Sequence, residues 1–137
     1  MPRLILVRGL PGSGKTTFAK SLGIFHVEQD MRCMIDGEYK WSKDRVSDSV
    51  RFCRTAAKLA MLEKMDVVVS NTFTRIWEME WYLDFAKRNG YEIFVRKAEG
   101  NFGSVHNVPE SSLVAMRERW EDFEGELPLT APCGAST

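Results

Sequence analysis

What this 137-residue chain lacks already narrows its function. It has no surplus of either charge, since 19 Lys and Arg are matched by 19 Asp and Glu. The molecule as a whole therefore does not draw polyanions or anionic membranes, and a phosphate-rich partner must be met by local clustering. It has no cysteine framework. Cys33, Cys53 and Cys133 are odd in number, far apart and without a C-x-x-C pair, which argues against disulfides or a zinc site and fits a reducing cytoplasm. It also has no long hydrophobic run. The apolar opening segment is only about six residues long, too short for a membrane span or a signal-peptide core. No internal repeat is visible. The length suits one domain with one cleft, and 44% hydrophobic with 28% charged residues is the balance of an ordinary globular protein.

What is present is a loop with defined chemistry. Leu4-Ile5-Leu6-Val7 is a run of strand formers, and directly after it Gly9-Leu10-Pro11-Gly12-Ser13-Gly14-Lys15-Thr16 satisfies G-x-x-x-x-G-K-[ST], the phosphate-binding loop. Glycines let the backbone wrap an anion with successive N–H groups pointing inward, and the following helix turns its N-terminus to the same phosphates. Leu10, Pro11, Gly12, Ser13, Gly14, Lys15, Thr16 and Thr17 are the nucleotide-binding candidates. Lys15 reaches for the β and γ phosphates, and the Thr16 hydroxyl is the expected Mg2+ ligand, because a hard cation prefers oxygen.

The remaining pattern predicts alternating strands and helices. Strands are expected at 3–8, 24–27, 66–70 and 91–96, and helices at 16–22, 43–64 and 75–88, with another beginning at Pro109. Three consecutive valines, Val67-Val68-Val69, mark a strand buried on both faces. Alternation of this kind predicts a mostly parallel α/β sheet of about four strands in the order 2-3-1-4, flanked by helices and carrying a short lid. The segment 97–108 reads as a mobile connection. Residues 1–123 form the expected domain, and 124–137 an extended or flexible tail.

A phosphate loop specifies a nucleotide but not a reaction. The second strand adds to it by bringing Glu28, Gln29 and Asp30 to the ligand-binding edge of the sheet. A kinase needs a group that accepts the proton of the attacking hydroxyl. Asp30 is the candidate; the competing role is a helix cap, which aspartate often serves.

With these residues in view, the chain resembles the phosphate-loop kinases related to the 5′-hydroxyl kinase domain of bacteriophage polynucleotide kinase, including small phage DNA-modification kinases. The resemblance rests on Gly9 to Thr17, His26-Val27-Glu28-Gln29-Asp30-Met31-Arg32, Val67-Val68-Val69-Ser70-Asn71-Thr72, Asn107-Val108-Pro109-Glu110 and Met116-Arg117-Glu118-Arg119-Trp120. It spans residues 3 to about 123, and only the first motif is specific. It implies ATP and Mg2+, with Lys15 and Asp30 as the catalytic pair and Asp30 the general base. Arg32, Asn71 and Arg75 are expected on the acceptor side, where an arginine fork matches a phosphate.

Two departures from the family stand out. Relatives commonly carry an acidic residue at the end of the third strand, where this chain has Ser70-Asn71, so no carboxylate is evident for the metal shell; Asp66 lies at the wrong end. The lid reads Gly100-Asn101-Phe102-Gly103-Ser104-Val105-His106-Asn107, without the family's arginines, leaving Arg75, Arg96, Lys97, Arg117 and Arg119 as substitutes. His26, inside a strand, reads as packed or hydrogen-bonded, and His106 as structural in the lid. Tyr39, Trp41, Phe73 and Trp77 either stack on bases or fill the core. Arg51, Arg54 and Lys58 form a helix stripe that is either solvated or steers a nucleic-acid backbone.

The expectation is an ATP-dependent kinase acting on a nucleic-acid hydroxyl, with DNA favoured, at a 5′ end or on the hydroxymethyl group of a modified pyrimidine. It has no membrane partner and works in the cytoplasm, that of an infected bacterium if the chain is of phage origin. The alternatives are a nucleoside or small-metabolite kinase and a nucleotide-operated binding module with weak ATPase activity. Oligomeric state is left open by the sequence.

Overall fold

The computed structural model describes residues 1–29, 34–35, 38–39, 43–101 and 109–134. Its centre is a parallel sheet built from β1 (Arg3–Arg8), β2 (Phe25–Glu28), β5 (Val67–Asn71), β6 (Glu92–Lys97) and the two-residue β7 (Leu127–Pro128), in the order β2-β5-β1-β6-β7. The first four reproduce the expected 2-3-1-4 order, and β7 adds a fifth at the edge. A separate antiparallel pair, β3 (Met34–Ile35) and β4 (Glu38–Tyr39), stands apart from the main sheet. Four helices lie among the described residues: α1 (Lys15–Ser21), α2 (Lys43–Leu62), α3 (Trp77–Arg88) and α4 (Glu110–Arg119).

Alternation along the central strands sorts the side chains onto two faces. Leu4, Leu6, Val27, Val67, Val69 and Val95 enter one core, together with Cys53, Ala57 and Met61 of α2 and Met79, Tyr82 and Ala86 of α3. Ile5, Val7 and Val68 face the opposite way, onto Ala19 and Phe18 of α1 and Leu22 at its end. The valine run of β5 is thus covered on both sides, as a continuous apolar strand requires. Full burial of one such side chain is worth roughly 1.5–3 kcal/mol.

Two residues beyond β5, Phe73 takes a left-handed conformation, φ 45°. Its ring is buried edge-on against Tyr82, with centroids 5.8 Å apart. This aromatic, expected either on the acceptor side or in the core, belongs to the core. Trp77, from the same set, is 62% exposed.

Residues 124–134 are tied to the sheet at a few points. Glu126 pairs with buried Arg8 at 2.9 Å, β7 pairs with β6, and Leu129 and Cys133 join the core on the α1 side. Helix α4 buries none of its residues, and its Leu113 and Met116 are only partly covered.

Candidate functional site

The phosphate loop joins β1 to α1 and is tightly constrained. Gly12 (φ 80°) and Gly14 (φ 99°) occupy left-handed conformations that other residues resist. Gly9 is required by close approach instead, because an added Cβ would lie 2.5 Å from Ser13 Oγ and 2.8 Å from the Ala98 carbonyl. The loop is tied to its neighbours by Gly9 N–H donating to the Thr72 carbonyl at 3.3 Å and Gly100 N–H donating to the Ser13 carbonyl at 3.1 Å. Lys15 is buried, and its Nζ donates to the Leu10 carbonyl at 3.0 Å, across the loop. Ser13 Oγ is buried without a hydrogen-bond partner among the described residues.

Thr16, expected at the metal, donates its hydroxyl to Glu28 Oε1. The same carboxylate oxygen accepts from Ser70 Oγ at 2.9 Å. Ser70 Oγ lies 2.7 Å from His26 Nε2, and with the serine proton given to Glu28, His26 Nε2 is the donor there. Burial pushes the His26 imidazole below its ordinary pKa against the opposing pull of Glu28. His26 is therefore the hydrogen-bonded strand residue that its position predicted.

Register explains this grouping. Parallel pairing sets His26 against Val68 and Glu28 against Ser70, so both side chains share the face of Val68, onto which α1 packs. The sequence offered no role for Glu28 and no carboxylate beside Thr16. The available signal was the two-residue spacing from His26, readable only once β2 is aligned with β5.

Asn71, an acceptor-side candidate, lies in β5 and is buried; its Oδ1 accepts the backbone N–H of Gln29 at 2.5 Å. It ties down the strand end just before Asp30. Asp30 and Arg32 themselves lie outside the described residues, as do Trp41 and His106. Tyr39 falls in β4.

The cationic substitutes separate. Arg96 is buried and donates to the carbonyls of Val95, Ala131 and Pro132, so it holds the C-terminal segment. Arg119 Nε donates to Thr74 Oγ1 at 3.0 Å, and Arg75 lies 3.5 Å from Glu121. Lys97 sits between Glu99 and Asp122, at 3.4 and 3.8 Å. Lys97 and Arg117 line a hollow of about 330 Å3 beside Gly9, Leu10 and Trp120. A second hollow, about 670 Å3, shares Ser13, Lys97 and Gly100 with the first and extends to Thr17, Phe18 and Leu129. Of the α2 stripe, Arg51 pairs with Asp48 and the Arg54 guanidinium lies 5.9 Å from the centre of the Trp81 ring.

Among the described residues no group of three or more His, Cys, Asp or Glu forms a metal cage. The donors beside the loop are the Thr16 hydroxyl and the Glu28 carboxylate, hard oxygen groups that suit Mg2+ arriving with nucleotide phosphates. No described helix is long and apolar enough to cross a membrane.

The profile of the AAA domain matches residues 4–99, more than half of the chain. The chain belongs to the AAA domain family. It is 25% identical to human NEDD4-binding protein 2 over 88% of its own length, and it spans only 8% of that much longer protein. Among solved structures it resembles a gluconokinase from Sinorhizobium meliloti, with a TM-score of 0.62, 18% identity and coverage of 96% of this chain and 85% of the other. It also resembles a chain of the Pnkp1/Rnl/Hen1 RNA repair complex, with a TM-score of 0.59, 18% identity and coverage of 86% and 37%. At these identities the structural likeness establishes the fold: this AAA domain has the P-loop kinase architecture, with kinases among its neighbours.

Proposed function

We propose that the chain is an ATP-dependent kinase transferring the γ-phosphoryl group to a hydroxyl of a nucleic acid. The observation that carries this reading is the convergence, on one sheet edge, of the phosphate loop with buried Lys15 and the end of β2, which Asn71 and Ser70 anchor immediately before Asp30. Open parallel sheets bind ligands at that edge.

The loop N–H groups of Gly12 to Thr17 cradle the phosphates, and Lys15 turns from the Leu10 carbonyl to the β and γ oxygens. Mg2+, when bound with the nucleotide, offsets charge on those oxygens, and Thr16 holds it. The 670 Å3 hollow beside Thr17 and Phe18 gives the base and ribose a place. Asp30 takes the acceptor proton as the hydroxyl oxygen attacks the γ-phosphorus and the bond to the β-phosphate breaks, releasing ADP. Arg32 binds a phosphate of the acceptor, and Arg75 stands on that side. The lid cation comes from Lys97 or Arg117, the two that reach the loop hollow.

The test offers labelled ATP in parallel with 5′-hydroxyl DNA, 5′-hydroxyl RNA, hydroxymethyluracil-containing DNA and free nucleosides. Label on an oligonucleotide, reduced by rising salt, supports phosphate contacts. Release of free phosphate alone would point to a nucleotide-operated switch and reject transfer. Asp30→Asn is expected to abolish transfer while sparing ATP binding, and full transfer by that variant rejects the base assignment. A small-metabolite kinase is the second reading, favoured by the zero net charge and by the gluconokinase likeness over nearly the whole chain. Label on a small sugar or nucleoside with little salt dependence would select it.

A further inference from the structure

We infer that Glu28, supplied by the second strand, is the residue that sets Thr16 to receive the metal, replacing the acidic group absent from the end of β5. This deepens the phosphotransfer reading and rests on it. A hydroxyl has one proton and two lone pairs. Thr16 spends its proton on Glu28 Oε1, so only lone pairs remain to face the loop. That orientation suits a cation and excludes the alternative, in which the threonine donates to a phosphate oxygen and leaves the metal without a protein ligand.

Glu28 is itself held in place. It is 8% exposed, Ser70 Oγ donates to the same oxygen at 2.9 Å, and His26 Nε2 stands 3.8 Å away with its hydrogen bond directed to Ser70. The chain His26 to Ser70 to Glu28 holds the same carboxylate oxygen that accepts from Thr16. Ser70 occupies the β5 position where the sequence lacked an acid, and it is registered directly against Glu28. The carboxylate comes from the neighbouring strand, and Ser70 is small enough to leave room for it. Glu28 is a positioning residue: it acts through Thr16, and its negative charge stands behind any cation on that hydroxyl.

The test reads nucleotide binding rather than transfer. The affinity of a fluorescent ATP analogue is measured in EDTA and across a Mg2+ titration for the full chain, Glu28→Gln and Glu28→Asp. Glu28→Gln is expected to raise the half-saturating Mg2+ concentration by about 10- to 100-fold with its EDTA affinity unchanged. Glu28→Asp, which keeps the charge on a shorter arm, is expected to recover part of the loss. An unchanged Mg2+ requirement in Glu28→Gln overturns the assignment, as does an equal loss of affinity in EDTA and in Mg2+, which marks damage to the loop. If the unaltered chain binds no nucleotide in either condition, the phosphotransfer reading itself fails, and the two failures are thereby told apart.

Discussion

The C-terminal edge of the sheet carries two buried charged networks, one on each face, and they differ in what their polar groups have left to give. On the face of Leu4 and Leu6 stands Arg8, fully buried. Its Nη1 pairs with Glu126 at 2.9 Å, its other donors reach the carbonyls of Phe73, Thr74 and Glu121, and the guanidinium lies 4.1 Å from the centre of the Trp120 ring. Every donor nitrogen is spent on protein, so this arginine beside the phosphate loop is a clamp joining β1, the β5 end and the C-terminal segment. On the face of Val68 lie Thr16, Glu28, Ser70 and His26: Thr16 and Ser70 both donate to one carboxylate oxygen of Glu28, and His26 donates to Ser70. Burial of charge thus marks both places, and only the direction of the donors separates a brace from a site.

The largest expected effect tests the brace. Arg8→Met leaves Glu126 and three carbonyls without their partner and is expected to cost about 3–5 kcal/mol of stability, read by urea unfolding. Adding Glu126→Gln should return part of that loss. If the comparison is right, nucleotide affinity per folded molecule is unchanged in both variants, and a selective loss of affinity would move Arg8 into the site. Lys15→Ala breaks the other network's neighbour. Transfer is expected to fall by about 10²–10³ with little change in the unfolding midpoint, and normal transfer would contradict the loop assignment.

Gly9→Ala sets a methyl against Ser13 Oγ and the Ala98 carbonyl. The clash displaces the loop from the 97–100 segment, so nucleotide affinity should drop by about tenfold, on the scale of a 1–3 kcal/mol overpacking cost. Unaltered affinity would mean that the loop does not need that contact.

A smaller effect comes from the opposite end of the sheet. Burial works against ionisation of Asp66, but hydrogen bonds from the Arg3 side chain and main chain outweigh it and hold the carboxyl below its ordinary pKa. A folded value lower than the unfolded one means stabilisation that is complete above the unfolded pKa and lost as pH falls through the folded value. Between about pH 5 and 3 the unaltered chain should therefore lose more stability than Asp66→Asn. Parallel acid limbs would contradict this. The smallest effect belongs to the exposed pair Arg51 and Asp48, 77% and 48% accessible. Arg51→Ala should change stability by about 0.5 kcal/mol or less and leave oligonucleotide labelling intact, since that arginine is already paired within its own helix.

Much of this was legible in the chain. Short-range signals, namely the glycine spacing of 9–16, the valine run and the helical periodicity of α2 and α3, depend on neighbours within a few residues. The elements and their order followed from them. The terminal strand was harder: Leu127–Pro128 has no alternation to read, and it pairs because Arg96 and Arg8 hold the flanking segment from distant positions. Arg96 looked like a lid arginine for the same reason, since sequence shows a charge but not the carbonyls that consume it. Trp77 and Phe73 lie close together in the chain, yet one is exposed and the other is core, a distinction set by the left-handed turn at Phe73.

By itself the sequence determined a phosphate-binding loop on a parallel α/β sheet, because that motif needs only residue types at fixed local spacing. The tertiary structure alone decided which carboxylate stands beside Thr16, which arginines are braces, and where the C-terminal segment goes. Those depend on strand register and on pairings between residues tens of positions apart, and no local pattern encodes them.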